Sequence, residues 1–252
     1  MQYYFVAAAL PTLQLDTKPE ITVSELKDLF AQNLTDKDLL LVEQLLQLVD
    51  LGNLRAFWQE KPLDERGNLS EKEIEEAVLV KEGLPAFVLE YLDRYETTAD
   101  RLKYFPSLYA QLFQEVKGDG FLGKYFAWER ELRLVLSALR AKRYGRDIVR
   151  ELQFEDPTDT LVASILAQKD ATAYTPPTEY VEVSGFLSGN PLEEQKALLT
   201  YELQKIEEIE GTQPFSIDHL LGYMARLLLS EAWHRMNKEL GLSLIQDLSQ
   251  YG

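Results

Sequence analysis

Apolar residues recur at intervals of three and four along most of the chain, the spacing that places side chains on one face of a helix. The clearest case is Phe215–Gly241, where Ile217, Leu220, Leu221, Met224, Leu227 and Leu228 share a stripe. Glu231 and Arg235 fall in the middle of that stripe, four residues apart. A charge on a core-facing stripe is costly unless it is paired and hydrogen-bonded. Glu ahead of a base at this spacing is the favourable order within a helix. This helix is therefore expected either to bury an ion pair or to present it to a partner, unless its end emerges into solvent.

The same periodicity predicts helices elsewhere. Thr22 with Glu25 has the form of a capping box opening a helix that ends near Asn33. Asp36–Trp58 reads as one long helix whose apolar face moves. Leu41, Val42, Leu45, Leu48 and Val49 point one way, and Leu54, Phe57 and Trp58 point nearly opposite. The change falls at Asp50–Leu51–Gly52, so the helix is expected to kink there or to change packing partner. Ser70 and Glu73 make a second capping box, with Leu69 and Ile74 as its hydrophobic staple. Pro85 opens a helix through about Tyr95, Thr98–Lys117 divides around Pro106, and Phe121–Arg143 carries Leu122, Tyr125, Trp128, Leu132, Val135, Leu136 and Leu139 on one face. Leu161–Gln168 is a further helix. Asn190, Pro191 and Gly211 bracket another by the N-cap, N1 and post-terminal preferences of those residues.

Two segments read differently. Met1–Leu10 fits helix and buried strand equally, and Glu179–Leu187 alternates enough for a short strand or hairpin. With about ten helices and little strand, the expected class is all-α: a single helical domain over 1–252 with a weak linker near 169–178.

Composition narrows the function classes. The chain has 252 residues, 46% of them apolar and 27% charged, which suits a folded protein with a full core. A net charge of −16 argues against a nucleic-acid partner and against adsorption to anionic lipid. No cysteine is present, so disulfides and thiolate chemistry are excluded. No charge-free apolar run is long enough to span a bilayer. Residues 1–15 are uncharged, but they lack a basic flank and Pro11 breaks them, which argues against a signal peptide.

Three constellations bear on catalysis. Gly118–Asp119–Gly120–Phe121–Leu122–Gly123–Lys124 matches a dinucleotide fingerprint and, except at its last position, a phosphate-binding loop. Both motifs need a strand feeding the glycines. Here Gln111–Lys117 reads as helix, and Tyr125 replaces the magnesium-binding Ser or Thr. Glu231 and His234 have the spacing of a di-iron ligand pair, but His219 lacks the companion Glu that a second pair requires. Neither histidine has a recognisable triad. No catalytic residue, metal or cofactor is therefore expected.

Charge is unevenly spread. Within 124–150, Lys124, Arg130, Arg133, Arg140, Lys142, Arg143, Arg146 and Arg150 face only Glu129, Glu131 and Asp147. Such a stretch either pairs internally with acidic helices such as Glu71–Glu76 or forms a docking face for an acidic partner.

The C-type subunit of V/A-type rotary ATPases, whose eukaryotic counterpart is the d-type subunit, is an all-helical socket of three pseudo-repeats. Each repeat tends to carry an acid, Asn, an aliphatic residue and a base along a long helix. Asp50–Leu51–Gly52–Asn53–Leu54–Arg55 resembles the first repeat. Glu129–Lys142 is similar to the second but lacks the Asn. Phe215, Tyr223, Glu231 and Arg235 match the order of the third, with His234 where Asn is usual. Gln2–Tyr3–Tyr4–Phe5–Val6–Ala7 is similar to the Tyr-rich start of that socket protein. The whole chain resembles a small bacterial family encoded among V/A-type ATPase genes in organisms such as chlamydiae and Bacteroidetes.

The resemblance implies a non-enzymatic coupling subunit, without cofactor, in a proton- or sodium-moving rotary motor. It would be cytoplasmic and peripheral at the inner membrane, between the central-stalk subunits and the membrane rotor ring. Structural or partner-contact roles are implied for Asp50, Asn53, Arg55, Arg133, Arg140, Lys142, Tyr223, Glu231 and Arg235. The alternatives are a stand-alone helical adaptor for an acidic partner, using 124–150, and a nucleotide-binding enzyme using Gly118–Lys124.

Overall fold

The structure is a computed structural model that describes residues 2–15, 17–187 and 189–250, with side chains as far as Met236. Every regular element among the described residues is helical. In chain order these are α1 (Tyr4–Ala9), α2 (Val23–Asn33), α3 (Asp36–Trp58), α4 (Glu71–Val80), α5 (Ala86–Arg94), α6 (Thr98–Tyr104) and α7 (Pro106–Glu115). They continue with α8 (Phe121–Arg143), α9 (Ile148–Glu151), α10 (Thr160–Ala167), α11 (Val181–Gly185), α12 (Pro191–Glu210) and α13 (Ile217–Gln250). A single 3-10 turn, Thr178–Tyr180, precedes α11. The protein is all-α.

Local chemistry explains the helix starts. Thr22 accepts from the Glu25 N–H at 3.2 Å while Glu25 accepts from the Thr22 N–H at 2.8 Å, so α2 opens on a complete capping box. Ser70 and Glu73 do the same for α4. Asn190 accepts from the Leu192 N–H at 3.1 Å ahead of Pro191. Beyond α12, Gly211 takes a φ of 75°, the left-handed conformation that glycine adopts without strain.

The chain forms two compact units, residues 1–45 with 199–252, and residues 46–198. It passes from one to the other inside α3 and again inside α12. Segment 169–177 lies wholly in the second unit. There Gln168 clasps Thr175, accepting from its N–H at 2.9 Å and donating to its carbonyl at 3.1 Å.

In the first unit α2 packs against α1 and α13. Val23, Leu26 and Phe30 of α2 are buried, as are Leu220, Leu221, Met224 and Leu227 of α13. The α13 stripe is thus a core stripe, as its period implies. Met1–Leu10, which the pattern left open, is helical over Tyr4–Ala9, and the Tyr3 N–H donates to the Phe215 carbonyl at 2.7 Å.

The second unit is built on α8, which packs against α7, α9 and α10. The sequence pattern assigns α8 one apolar face. In the structure Phe126, Leu134, Ala138 and Ala141 are buried as well, so the helix is enclosed on several sides. A file of aromatic rings runs from Trp58 through Phe105, Tyr109, Phe113, Phe126 and Tyr125 to Trp128. Successive ring centroids lie between 5.6 and 6.3 Å apart, within the range of favourable ring contacts.

Two expectations meet a definite outcome. The α3 helix continues through Gly52, and Leu54 and Trp58 are buried within the second unit while Val42 and Leu45 are buried within the first. The stripe therefore rotates along one uninterrupted helix. The strand or hairpin expected at Glu179–Leu187 is instead the 3-10 turn followed by α11. Tyr180 and Val183, three apart, go into the core, and Val181, which alternation would bury beside Val183, is 50% exposed. Two apolar residues three apart suit a helical turn as readily as alternation suits a strand.

Candidate functional site

The three stretches that carry the acid–base pattern fall on the three longest apolar-striped helices, α3, α8 and α13, and each acid has a distinct task.

On α3, Asp50 and Asn53 face the loop that leads into α4, and both are buried. Asp50 Oδ1 accepts from the Asn68 N–H at 2.8 Å, and its Oδ2 accepts from Asn68 Nδ2 at 2.6 Å. Asn53 accepts from the Asp64 N–H at 2.7 Å and donates to the Asp64 carbonyl at 2.8 Å. A buried carboxylate is tolerated only when donors surround it, and this loop supplies them from its backbone and from the Asn68 side chain. Gly67 completes the fit, because a Cβ there would lie 2.4 Å from Asp50 Oδ1. Arg55, the base of the pattern, is exposed on the outside of the helix, with its guanidinium 5.5 Å from the centre of the Phe105 ring.

On α8, Glu129 is buried and accepts from Arg133 Nε at 2.6 Å, one helical turn away. The Arg133 guanidinium lies 4.5 Å from the Tyr109 ring centre and 5.7 Å from that of Phe113, so the pair covers part of the aromatic file.

On α13, Glu231 is half-buried and reaches a different element. Its Oε1 accepts from the Val23 N–H at 2.9 Å, at the first residue of α2. A carboxylate there satisfies an N–H that has no partner within its own helix and lies at the positive end of the helix dipole. Arg235 is exposed, so the stripe leaves cover between these two residues. Tyr223, two turns earlier, is buried and donates from its hydroxyl to the Pro11 carbonyl at 2.8 Å. Burial pushes its pKa up to about 12.

These residues run the length of the chain, and so does its likeness to known proteins. Residues 1–250 match the family described as "Protein of unknown function (DUF2764)". The chain belongs to the DUF2764 family. It is similar to a protein of Chlamydia trachomatis serovar D, 28% identical over 251 residues, which cover 94% of this chain and 94% of the relative. A protein of Chlamydia muridarum is 28% identical over 240 residues, covering 91% and 90%. One of Chlamydia pneumoniae is 29% identical over 217 residues, covering 82% of each. No solved structure matches.

In this DUF2764 chain most of the basic stretch is satisfied internally, though not by Glu71–Glu76. Arg130 pairs with Glu155 at 2.7 Å and Asp159 at 3.1 Å, Arg143 with Glu194 at 2.8 Å, and Arg146 with Glu151 at 3.0 Å. Lys142 donates to the carbonyls of Lys169 and Ala171, each at 2.5 Å, tying the 169–177 segment to α8. The Arg143 guanidinium and the Gly189 N–H hold the Glu194 carboxyl below its ordinary pKa. Arg140 is exposed and lines a hollow beside α12.

The glycine segment of the DUF2764 chain is entered from a helix, α7, and not from the strand its motif requires. A Cβ on Gly123 would lie 2.3 Å from the Gly118 carbonyl oxygen, and Gly118 has a φ of 144°. These two glycines allow the loop to fold back on the first turn of α8.

One cluster escaped the sequence reading. Arg226 of α13 donates to Glu207 at 2.8 Å and to Glu210 at 3.0 Å, and His219 Nδ1 lies 3.2 Å from Glu210. Gly222 leaves the room, since a Cβ there would lie 2.2 Å from Glu210 Oε2. The available signal was an acidic helix end, a glycine turn, and then His219, Gly222 and Arg226 at helical spacing. Glu231 and His234 have the spacing of a di-iron ligand pair, and among the described residues no group of three or more acids and histidines is placed to hold a metal ion.

Proposed function

We propose that this DUF2764 protein is a non-enzymatic coupling subunit of a V/A-type rotary ATPase, comparable to the socket-forming C-type subunit and seated between the central stalk and the membrane rotor ring. The observation that carries the reading is the fate of the three patterned acids. Asp50, Glu129 and Glu231 each sit on a long helix and each is committed to an internal bond: to a loop backbone, to Arg133, and to the start of α2. A part that passes torque needs stiffness more than chemistry. Buried, hydrogen-bonded carboxylates and a continuous file of aromatic rings supply stiffness by fixing the positions of neighbouring elements.

The internal pairing of Arg130, Arg133, Arg143 and Arg146 speaks against the adaptor reading, which needs those charges free for an acidic partner. Among the described residues no helix is long and apolar enough to cross a membrane, so a place at the membrane would depend on the complex. Co-expression with the cognate stalk and ring proteins, followed by affinity capture on a stalk protein, tests the proposal. The protein is expected to co-purify with the stalk at near one-to-one stoichiometry. Its absence from stalk and ring fractions alike, with all components at micromolar concentrations, ends the coupling reading.

A further inference from the structure

Arg140 differs from most of the other cations of its stretch, and unlike Lys124 and Arg150, whose side chains also lack a bonded partner among the described residues, it lines a hollow. Arg130, Arg133, Lys142, Arg143 and Arg146 all bond to named acceptors within the second unit. Arg140 makes no hydrogen bond or ion pair among the described residues, yet it lines a hollow of about 230 Å³. Leu136, one helical turn earlier on α8, lines the same hollow, together with Phe186, Leu187 and Leu198. One guanidinium thus stands beside a mixed wall, apolar at these four residues and Pro191 and polar at Tyr144, Glu194 and Gln195. The acid beside it is already committed, because Glu194 accepts from Arg143 at 2.8 Å and from the Gly189 N–H at 2.6 Å.

We propose that this hollow binds a monocarboxylate carrying one compact apolar group, of leucine or isovaleryl size, with the carboxylate on Arg140 and the apolar group against Leu136, Phe186, Leu187 and Leu198. This inference stands apart from the coupling role. Charge selects the head group. A planar guanidinium matches a carboxylate in two parallel hydrogen bonds, and it stays charged at every physiological pH. A doubly charged phosphate is disfavoured, because Glu194 forms part of the wall and the hollow offers no second cation with free donors. Size selects the tail. An apolar cavity of about 150 Å³ holds a benzene ring, so this larger hollow accepts a branched four- or five-carbon group with its carboxylate at the mouth. The carboxylate has two sources, a free short-chain acid and the C-terminal residue of a polypeptide.

Isothermal titration of the full-length protein with 4-methylpentanoate, with its primary amide, and with paired peptides ending in leucine as free acid or as amide tests the site. The free acid of at least one pair is expected to bind, and its amide about tenfold or more weaker, as befits loss of a charge-assisted bidentate contact. Arg140→Gln is expected to weaken the acid to the level of the amide without lowering the melting temperature, since the side chain bonds to nothing in the fold. Binding of 4-methylpentanoate without the peptide identifies a free acid as ligand. Binding of the free-acid peptide identifies a chain terminus. The proposal is overturned if neither acid binds, if acid and amide bind alike, or if Arg140→Gln binds as well as the wild type.

Discussion

Asn53 grips the backbone of Asp64 from both sides, its Oδ1 2.7 Å from the N–H and its Nδ2 2.8 Å from the carbonyl. One side chain on α3 thereby satisfies both polar groups of a residue in the loop before α4. Asn53→Ala is expected to cost about 1–3 kcal/mol, because both backbone groups of Asp64 lose their partner in a part-buried place. Urea denaturation checks this. Asn53→Asp should recover only part of the loss, since the second oxygen faces a carbonyl; full recovery would show that the clasp matters little.

Gly67 and Gly52 make a matched pair of controls. A Cβ on Gly67 would lie 2.4 Å from the buried Asp50 carboxylate, whereas one on Gly52 meets nothing within 4 Å. Gly67→Ala is expected to destabilise by about 1–3 kcal/mol through overpacking. Gly52→Ala, within a helix, should stabilise by about 0.5–1 kcal/mol. Equal effects of the two substitutions on the melting temperature would contradict the placement of Asp50.

Glu231 acts as a cap for α2, so its loss should resemble the loss of a cap. Glu231→Ala is expected to cost about 1–2 kcal/mol. Arg235→Ala, at an exposed position, should cost less. Hydrogen exchange at Val23 reports the effect locally, and unchanged protection there in Glu231→Ala would refute the assignment.

Alkaline stability should depend on Tyr223. Burial raises its pKa to about 12, against about 10 in the unfolded chain. Between these values the unfolded state gives up a proton that the folded state keeps, so the unfolded state is favoured as pH rises. The contribution is complete below pH 10 and fades from there towards pH 12, by about 2 kcal/mol. Tyr223→Phe loses the hydrogen bond to Pro11 but should flatten that decline. A stability profile with the same slope as wild type above pH 10 would count against a buried, neutral phenol.

Gly123→Ala separates packing from phosphate binding at 118–124. The added methyl meets the Gly118 backbone at 2.3 Å, so the variant should melt at lower temperature. Titration of the wild type with magnesium ATP and with NAD is expected to give no binding heat. Micromolar affinity abolished by Lys124→Ala would reinstate a nucleotide site.

Much of this protein is local, and what is local was legible in its residues. The capping boxes at Thr22 and Ser70, the start at Asn190–Pro191 and the stop at Gly211 use partners within a few positions, so their chemistry is visible in the string itself. The stripe of α13 and the rotating stripe of α3 are likewise periodicities that any helix must express. What the string could not decide is which distant atom each exposed polar end would meet. Spacing sets Glu231 against Arg235, four residues away, but the structure also takes it to Val23, 208 positions earlier in the chain. Charge alone leaves the basic stretch open to acidic helices such as Glu71–Glu76 or to an acidic partner, and its partners are Glu129, Glu151, Glu155, Asp159 and Glu194. The same is true of Gly222, whose missing side chain has meaning only beside Glu210. Helix periodicity follows from the geometry of one segment, whereas the pairing of charges depends on how segments pack. In this chain, with 42 acids to choose from, only the tertiary structure makes that choice.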